Sequence, residues 1–247
     1  MRQPPNPGRE PGAAGRIPNP GREPGAGREP AAPGAAGRIT AIRPDTHATG
    51  YVIVEVDGER FATIAADAVK DLGLVREMEL DRGTFERLSF QADVDGAYRV
   101  AVRLLAARPR SVRELLWRLR QRGLNPSAVA KAVGRLEERG LLDDHEFARH
   151  FVRVRSDKGH GPSRLLTDLL AKGVDRKLAQ RAIDEVLAAE GVDPLAQARV
   201  LAEKRVRQLE RLPPDKQRRR LLAYLDRRGF RGHEVRELVE EVVGVHS

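Results

Sequence analysis

SVRELLWRLRQRGLNPSAVAKAVGRL, at residues 111–136, has two counterparts further along the same chain. SRLLTDLLAKGVDRKLAQRAIDEVL occupies residues 163–187, and KQRRRLLAYLDRRGFRGHEVRELVEEVV occupies residues 216–243. When the three segments are aligned on one glycine each, the same residue types recur at the same distances from it. The shared positions are the glycines Gly123, Gly173 and Gly229, the leucine pairs at 115–116, 165–166 and 221–222, Leu119, Leu169 and Leu225, the preceding cations Arg122, Lys172 and Arg228, and the following apolar residues Leu124, Val174 and Phe230.

Each aligned position has a physical reason. Leucines eight, seven and four residues before the glycine share one face of an α-helix. A glycine favours the left-handed conformation that ends a helix, and a cation beside it suits the negative end of the helix dipole. Each segment therefore predicts two amphipathic helices that meet at the glycine.

A further amphipathic helix is predicted before each segment, at residues 98–109, 146–159 and 194–213. The resulting three-helix unit recurs after 50 and then 56 residues, a spacing typical of helical arrays in which neighbouring units bury each other's faces. A run of unrelated amphipathic helices is the alternative. We predict a mostly α fold with three tandem three-helix repeats, at residues 96–145, 146–192 and 193–247.

The residues ahead of the repeats predict a small β-hairpin and helix domain over residues 39–95. Val52, Val54 and Val56 alternate with other residues up to the pair Asp57-Gly58, and this pattern is the strongest short-range signal for a hairpin. The expected elements are a hairpin over residues 51–65, a third short strand over 39–44, and helices over 65–74 and 77–90.

Residues 1–38 are a low-complexity segment. They hold nine of the 16 prolines and repeat the string NPGREPGA. Such a composition cannot bury enough apolar surface to offset the entropy of ordering. We predict a disordered Pro/Gly-rich tail, or translated sequence upstream of a functional start near Arg38.

The net charge of +9 is unevenly distributed. Residues 39–95 carry six basic and 12 acidic residues, whereas residues 96–247 carry 33 basic and 21 acidic residues. A net charge of +12 on the helical repeats indicates a polyanionic partner, either nucleic acid or a protein assembled on it. The alternative is an Arg-rich surface that is only solvated.

The sequence offers no carrier for catalysis. It contains no Cys, and therefore no disulfide, thiolate metal site or Cys nucleophile. His145 and His150 lie five residues apart, about 140° around a helix, and cannot ligate one ion from the same helix face. No stretch is apolar enough to span a membrane. We expect a monomeric cytoplasmic protein that is not an enzyme and has no metal and no cofactor.

Binding is the remaining interpretation, and the repeats carry candidate cations for it. Trp117, which stands among the leucines of the first segment, is interpreted as a packing residue, with stacking on a nucleic-acid base as the alternative. For each cation a solvated face is the competing interpretation. The candidate contacts to nucleic acid or nucleoprotein are Arg118, Arg120, Arg122, Arg153, Arg155, Lys158, Lys172, Lys204, Arg205 and Arg207.

Several strings closely resemble the RecX family of bacterial regulatory proteins, across roughly residues 39–247. The Pro/Gly tail is outside the family pattern. The strings are RLLAARPRSVRELLWRLRQRGL at 103–124, LEERGLLDDHEFARHFVRVR at 136–155, GHGPSRLLTDLLAKGVD at 159–175, DPLAQARVLAEKR at 193–205 and RRRLLAYLDRRGF at 218–230.

The resemblance implies a non-enzymatic modulator of RecA, the recombinase that forms filaments on single-stranded DNA. Members of the family bind in the filament groove and typically inhibit strand exchange, ATP hydrolysis and co-protease activity. It also implies roles in DNA repair, recombination and the SOS response. A stand-alone DNA-binding regulator built from helix-turn-helix-like units is the alternative.

Overall fold

The computed structural model describes residues 35–245, which form four strands and ten helices. The chain in this range folds as two compact units, one made of the residues up to Ala101 with Arg118–Ala132, the other of Val102–Trp117 with the residues from Val133 onward. The N-terminal elements are β1 (Ala35–Pro44), β2 (Tyr51–Val56), β3 (Glu59–Ala65), α1 (Ala66–Asp71) and β4 (Glu79–Asp81). The helices that follow are α2 (Arg82–Ala107), α3 (Val112–Arg120), α4 (Pro126–Glu138), α5 (Asp144–Ser156), α6 (Pro162–Ala171), α7 (Arg176–Ala189), α8 (Pro194–Val206), α9 (Pro214–Arg228) and α10 (His233–Val245).

The predicted hairpin and third strand are confirmed in an antiparallel sheet of order β3-β2-β1-β4. Asp57 and Gly58 have φ angles of 54° and 84°, as the type I′ turn between β2 and β3 requires. Ile39, Val54 and Ile64 are fully buried on the core side of this sheet. The sheet core also includes Leu88 and Ala92 of α2, so the hairpin gains the packing partner that a hairpin needs in water.

The boundary predicted for the tail is wrong by a few residues. β1 begins at Ala35, and Ala35 and Arg38 pair with β4. The Arg38 guanidinium also bonds Glu79 across this pair at 2.8 Å. The rest of the predicted tail, residues 1–34, lies outside the described residues.

The helix predicted over residues 77–90 is wrong at its start. Residues 79–81 form β4, in which Leu80 is fully buried between two exposed acidic residues, the alternation of a strand. Asp81 then begins α2, because its carboxylate accepts the backbone N–H of Thr84 at 2.7 Å.

α2 is a single helix of 26 residues where the sequence predicted two, and the domain boundary proposed at residue 95 lies inside it. Asp95 is fully buried in this helix. Its carboxylate accepts the backbone N–H of Ala65 at 2.8 Å and the side-chain amide of Gln91 at 2.9 Å. These bonds satisfy a charge that would otherwise interrupt the buried face.

The three-helix repeats are confirmed, and they consist of the end of α2 with α3 and α4, then α5–α7, then α8–α10. The aligned glycines end their helices in the left-handed conformation, at φ angles of 70°, 84° and 89° for Gly123, Gly173 and Gly229. The predicted leucines eight and four residues before each glycine are fully buried, namely Leu115, Leu119, Leu165, Leu169, Leu221 and Leu225. The leucines seven residues before it, Leu116, Leu166 and Leu222, are half-buried.

Short polar side chains start several of the helices. Asp143 accepts the backbone N–H of His145 at 2.7 Å, and Asp193 accepts that of Leu195 at 2.9 Å. Ser111 accepts the backbone N–H of Glu114 at 3.2 Å. Trp117 is 57% exposed. One expectation on helix length is wrong. The helix predicted over 194–213 ends at Val206, where the chain tightens into i→i+3 hydrogen bonds.

Successive repeats in the second unit meet at the ends of their middle helices. The backbone N–H of Gly161, at the start of α6, donates to the carbonyl of Arg228, at the end of α9, at 2.7 Å. The hydroxyl of Ser111, at the start of α3, donates to the carbonyl of Lys172, just beyond α6, at 2.6 Å. We call the contact of Gly161 with Arg228 the second joint and the contact of Ser111 with Lys172 the first joint. Each satisfies groups that a helix end leaves unpaired.

Close approach at the second joint makes Gly229 sensitive to substitution. A Cβ on Gly229 would lie 2.3 Å from the backbone nitrogen of Arg164, whereas a Cβ on Gly123 would meet nothing within 4 Å. Both residues have positive φ, which costs about 1 kcal/mol for alanine. We expect Gly229→Ala to lower the free energy of unfolding by about 2–4 kcal/mol because overpacking adds to this cost. Gly123→Ala is the matched control, and its free energy of unfolding in urea should fall only by the cost of a positive φ for alanine. Equal losses of unfolding free energy in the two variants would contradict the close approach at the second joint.

Candidate nucleic-acid interface

A cation–ring cluster lies at the C-terminal end of α5. Arg155 stands one helical turn after Phe151, which places its guanidinium carbon 5.4 Å from the centroid of the Phe151 ring. Lys172, just beyond α6, places its ammonium nitrogen 5.5 Å from the same centroid. One ring therefore holds two cations from two helices, and it restricts the positions of their charged groups.

The third repeat forms a second cluster of the same composition. The guanidinium carbon of Arg228 lies 4.9 Å from the centroid of Tyr224, one turn earlier in α9, and that of Arg205 in α8 lies 5.5 Å from it. The two clusters use corresponding cations. Arg155 and Arg205 each stand 12 residues after an aspartate that caps their helix, and Lys172 and Arg228 each directly precede the glycine of their repeat. The two clusters differ in the helix that supplies the ring: Phe151 lies in the first helix of its repeat, and Tyr224 lies in the middle helix of its repeat.

The second joint connects the two clusters. The guanidinium of Arg228 donates weakly to the carbonyls of Lys158 and Gly159, at 3.3 and 3.4 Å, in the turn that follows α5. His160 stands in the same turn, and its backbone N–H donates to the carbonyl of Arg155 at 3.2 Å. We call this surface the basic seam, formed by Phe151, Arg155, His160, Lys172, Arg205, Tyr224 and Arg228.

The basic seam is poor in compensating acid. Within residues 35–245, no carboxylate forms an ion pair with Arg155, Lys172 or Arg228; their neighbours are rings and carbonyls. Other cations near it are neutralised. Arg153 pairs with Glu190 at 3.4 Å, and Arg164 pairs with Asp168 at 3.0 Å. The seam therefore has a local excess of positive charge that suits an anion.

The positive potential of the seam affects the pKa of the His160 imidazole. Its side chain is 22% exposed, and burial is the main cause that lowers the pKa of its imidazole from the ordinary 6.5. The guanidinium groups of Arg155, Arg164 and Arg228 lower this pKa further, while Asp168 opposes them. These guanidinium groups therefore favour the neutral form of the His160 imidazole.

The structure brings together three of the ten predicted cations, Arg155, Lys172 and Arg205, in the seam. Lys158 is exposed in the turn beside it, and Lys204 and Arg207 are exposed at the end of α8. Arg153 is ion-paired. Arg118 and Arg120 lie on α3 and Arg122 in the turn after it, all in the other compact unit.

Sequence reasoning missed Arg228, His160, Phe151 and Tyr224 as members of the site. Part of this was accessible, because Phe151 with Arg155 and Tyr224 with Arg228 are aromatic–cation pairs at i, i+4. The contacts of Lys172 with Phe151 and of Arg205 with Tyr224 join different helices and have no local signal.

Three family models match the repeats in order. They are the first, second and third three-helix domains of RecX, over residues 97–136, 143–183 and 192–239. The chain belongs to the RecX family. The first of the three domains begins inside α2.

Curated relatives and solved structures agree with the RecX assignment. Regulatory protein RecX of Halorhodospira halophila is 42% identical over 137 residues, which cover 55% of this chain and 81% of the relative. The RecX of Chlorobium phaeobacteroides is 35% identical over 154 residues, covering 61% and 97%. A crystal structure of regulatory protein RecX superposes with a TM-score of 0.69 at 21% identity, over 83% of this chain and 99% of that one, and shares the fold.

The described residues contain neither a candidate metal site nor a membrane-spanning helix. No group of three or more His, Asp and Glu residues there could hold a metal ion. None of the helices among them is long and apolar enough to cross a membrane. In that part of the RecX chain, charge is therefore the feature that distinguishes the basic seam.

The charges around His160 give a testable titration. We expect Arg155→Gln to raise the pKa of the His160 imidazole toward 6.5, because it removes a guanidinium that repels the imidazolium form. Arg153→Gln is the matched control, since Arg153 lies on the same helix but pairs with Glu190. Imidazole chemical shifts followed by NMR from about pH 5 to 8 measure both effects. A His160 pKa that is unchanged in Arg155→Gln would contradict the arrangement.

Proposed function

We propose that this chain is a non-enzymatic regulator that binds the RecA–single-stranded DNA filament through the basic seam. Binding lowers the recombinase, ATPase and co-protease activities of the filament. The observation that carries the proposal is the seam itself, in which cations without carboxylate partners converge from two repeats of a RecX-family chain. Its curated relatives are regulatory proteins by name.

Ring stacking supports an anion-binding role for the seam arginines. A free arginine side chain loses considerable rotamer entropy when it binds a phosphate or carboxylate. Arg155 and Arg228 are already held over Phe151 and Tyr224, so part of that entropy is lost on folding. Apart from the Nη1 of Arg228, which donates weakly to the carbonyls of Lys158 and Gly159, their guanidinium nitrogens can donate charge-assisted hydrogen bonds to an anion.

The spread of charge supports a long partner over a small one. Residues 96–247 carry a net charge of +12, distributed over three repeats. A repeat array presents similar groups at regular intervals, and a nucleoprotein filament likewise repeats its anionic groups along its axis. Several weak contacts can then add up along the filament.

The charges of the same seam also favour a second candidate function, direct DNA binding without RecA. The cations of the seam would then contact phosphates alone. Affinity for naked DNA would fall steeply with salt, with a log–log slope set by the number of phosphates contacted. Binding to single-stranded DNA, duplex DNA and the RecA filament in one salt series separates the two functions.

Removing charge from the seam tests the main proposal. We expect the double variant Arg155→Gln, Arg228→Gln to lose about tenfold or more in affinity for the filament, because each arginine loses a charge-assisted contact. Co-sedimentation with RecA on single-stranded DNA measures the affinity, and ATP hydrolysis by RecA measures the regulatory effect. The control is Arg153→Gln, Arg199→Gln, which removes the same charge from arginines paired with Glu190 and Glu241.

The outcomes are distinct. Filament affinity and ATPase inhibition should change little in the control, since both of its arginines are already neutralised. Equal losses in both double variants would show that only net charge matters and would reject the seam. Absence of co-sedimentation of the wild-type protein, with unchanged ATP hydrolysis at saturation, would reject the function.

A further inference from the structure

His160 has an unsatisfied polar atom inside the basic seam. Its Nδ1 is buried and has no hydrogen-bond partner among the described residues. The nearest carboxylate oxygen, Oδ2 of Asp168, is 3.9 Å away, beyond hydrogen-bond distance. Asp168 is also already engaged by Arg164 at 3.0 Å. A buried polar atom without a partner calls for an explanation, and a missing ligand is one.

The charges that face His160 come from every element packed around it. Arg155 lies on α5, Arg164 and Asp168 on α6, and Arg228 at the end of α9. Three guanidinium groups and a single carboxylate therefore act electrostatically on the imidazole. Lys158 adds an exposed ammonium in the same turn.

In the corresponding turn of the first repeat, the arginines form ion pairs with a carboxylate. Arg110, 50 residues before His160, is buried, and its guanidinium pairs with Glu114 at 2.6 Å. Arg108 pairs with the same carboxylate. In the second repeat Arg164 stands where Glu114 stands in the first, so the local acid is replaced by a base. The carboxylate that pairs with the arginines of the first repeat therefore has no counterpart at the same position of the second joint.

We propose that His160, Arg155 and Arg228 form a phosphate-binding site at the second joint, and that His160 takes up a proton when the phosphate binds. The two guanidinium groups provide charge and N–H donors. Protonation converts the imidazole from a neutral ring into a further cation with a second N–H donor. The inference rests on the proposed function, because the same seam meets the phosphates of DNA in the filament.

The sign of the coupling follows from linkage. In the free protein, burial and the arginines hold the pKa of His160 below its ordinary value. A bound phosphate supplies negative charge beside the ring and raises that pKa again. Binding therefore takes up a proton, and phosphate affinity increases as the pH falls between the two pKa values. A phosphodiester keeps one negative charge throughout this range, so the effect belongs to the protein.

Fluorescence anisotropy with a labelled oligothymidylate tests the site. At fixed salt we expect the affinity of the wild-type protein to rise about threefold or more from about pH 7.5 to about pH 5.5, with a one-proton linkage limiting the change to tenfold per pH unit. His160→Gln should lose most of this rise, so the ratio of its affinities at the two pH values is the quantity to compare with the wild type. His150→Gln, which changes an exposed histidine of α5, should keep the rise.

A direct titration makes the test independent of the variants. The NMR pKa of His160 in the wild-type protein should rise when oligothymidylate is added. Repeating the titration with inorganic phosphate distinguishes a site for any phosphate from one that requires the DNA backbone. An unchanged His160 pKa with both ligands, an equal pH dependence in His160→Gln, or no oligonucleotide binding at either pH would overturn the proposal.

The filament experiment keeps the two proposals separate. Proton-linked oligonucleotide binding without co-sedimentation on RecA filaments would retain the phosphate site and reject the proposed function. Filament binding and ATPase inhibition that are identical in the wild type and His160→Gln at both pH values, together with an unchanged His160 pKa, would do the reverse.

Discussion

The hydrogen bond from the backbone N–H of Gly161 to the carbonyl of Arg228, at 2.7 Å, joins the start of one helix to the end of another. Both helices have unpaired backbone groups at these ends, and each supplies what the other lacks. Ser163 reinforces the contact by donating its N–H to the carbonyl of Gly229 at 3.2 Å. Positive and negative dipole ends also meet there, which favours the same arrangement. The stacking of repeats in the second unit depends on such joints.

The same contact places the basic seam. Because the carbonyl of Arg228 is fixed by Gly161, its side chain must leave the chain beside the turn at residues 158–160. Lys172 is held in the same manner by Ser111 at the first joint. The cation that precedes the glycine thus has two roles at once. Its backbone joins two repeats, and its side chain contributes charge at the point where they meet.

Local patterns predicted what depends on neighbouring residues. The glycine ends, the leucine faces and the aspartate caps of the repeats are set within one or two helical turns, and the sequence shows them directly. β4 was missed because the burial of Leu80 depends on β1, about 40 residues away. The continuity of α2 was missed because the buried Asp95 is satisfied in part by the backbone N–H of Ala65, 30 residues away in the chain. Four of the seven seam residues, Phe151, His160, Tyr224 and Arg228, were missed because the cross-helix contacts that bring the rings and cations together have no local signal.

The two joints differ in a way that assigns them different roles. A Cβ on Gly161 would lie 2.7 Å from the carbonyl oxygen of Gly229, so a serine like Ser111 could not occupy this position without moving the helices apart. The second joint is therefore closer, with a backbone donor in place of a hydroxyl. Arg164 in place of Glu114 also removes its internal counter-charge. The first joint is stabilised by the ion pairs of Glu114. The second joint is closely packed, but it has no carboxylate at the corresponding position. Negative charge supplied by a partner at the second joint would pair with Arg155 and Arg228, which form no ion pair with a carboxylate within residues 35–245.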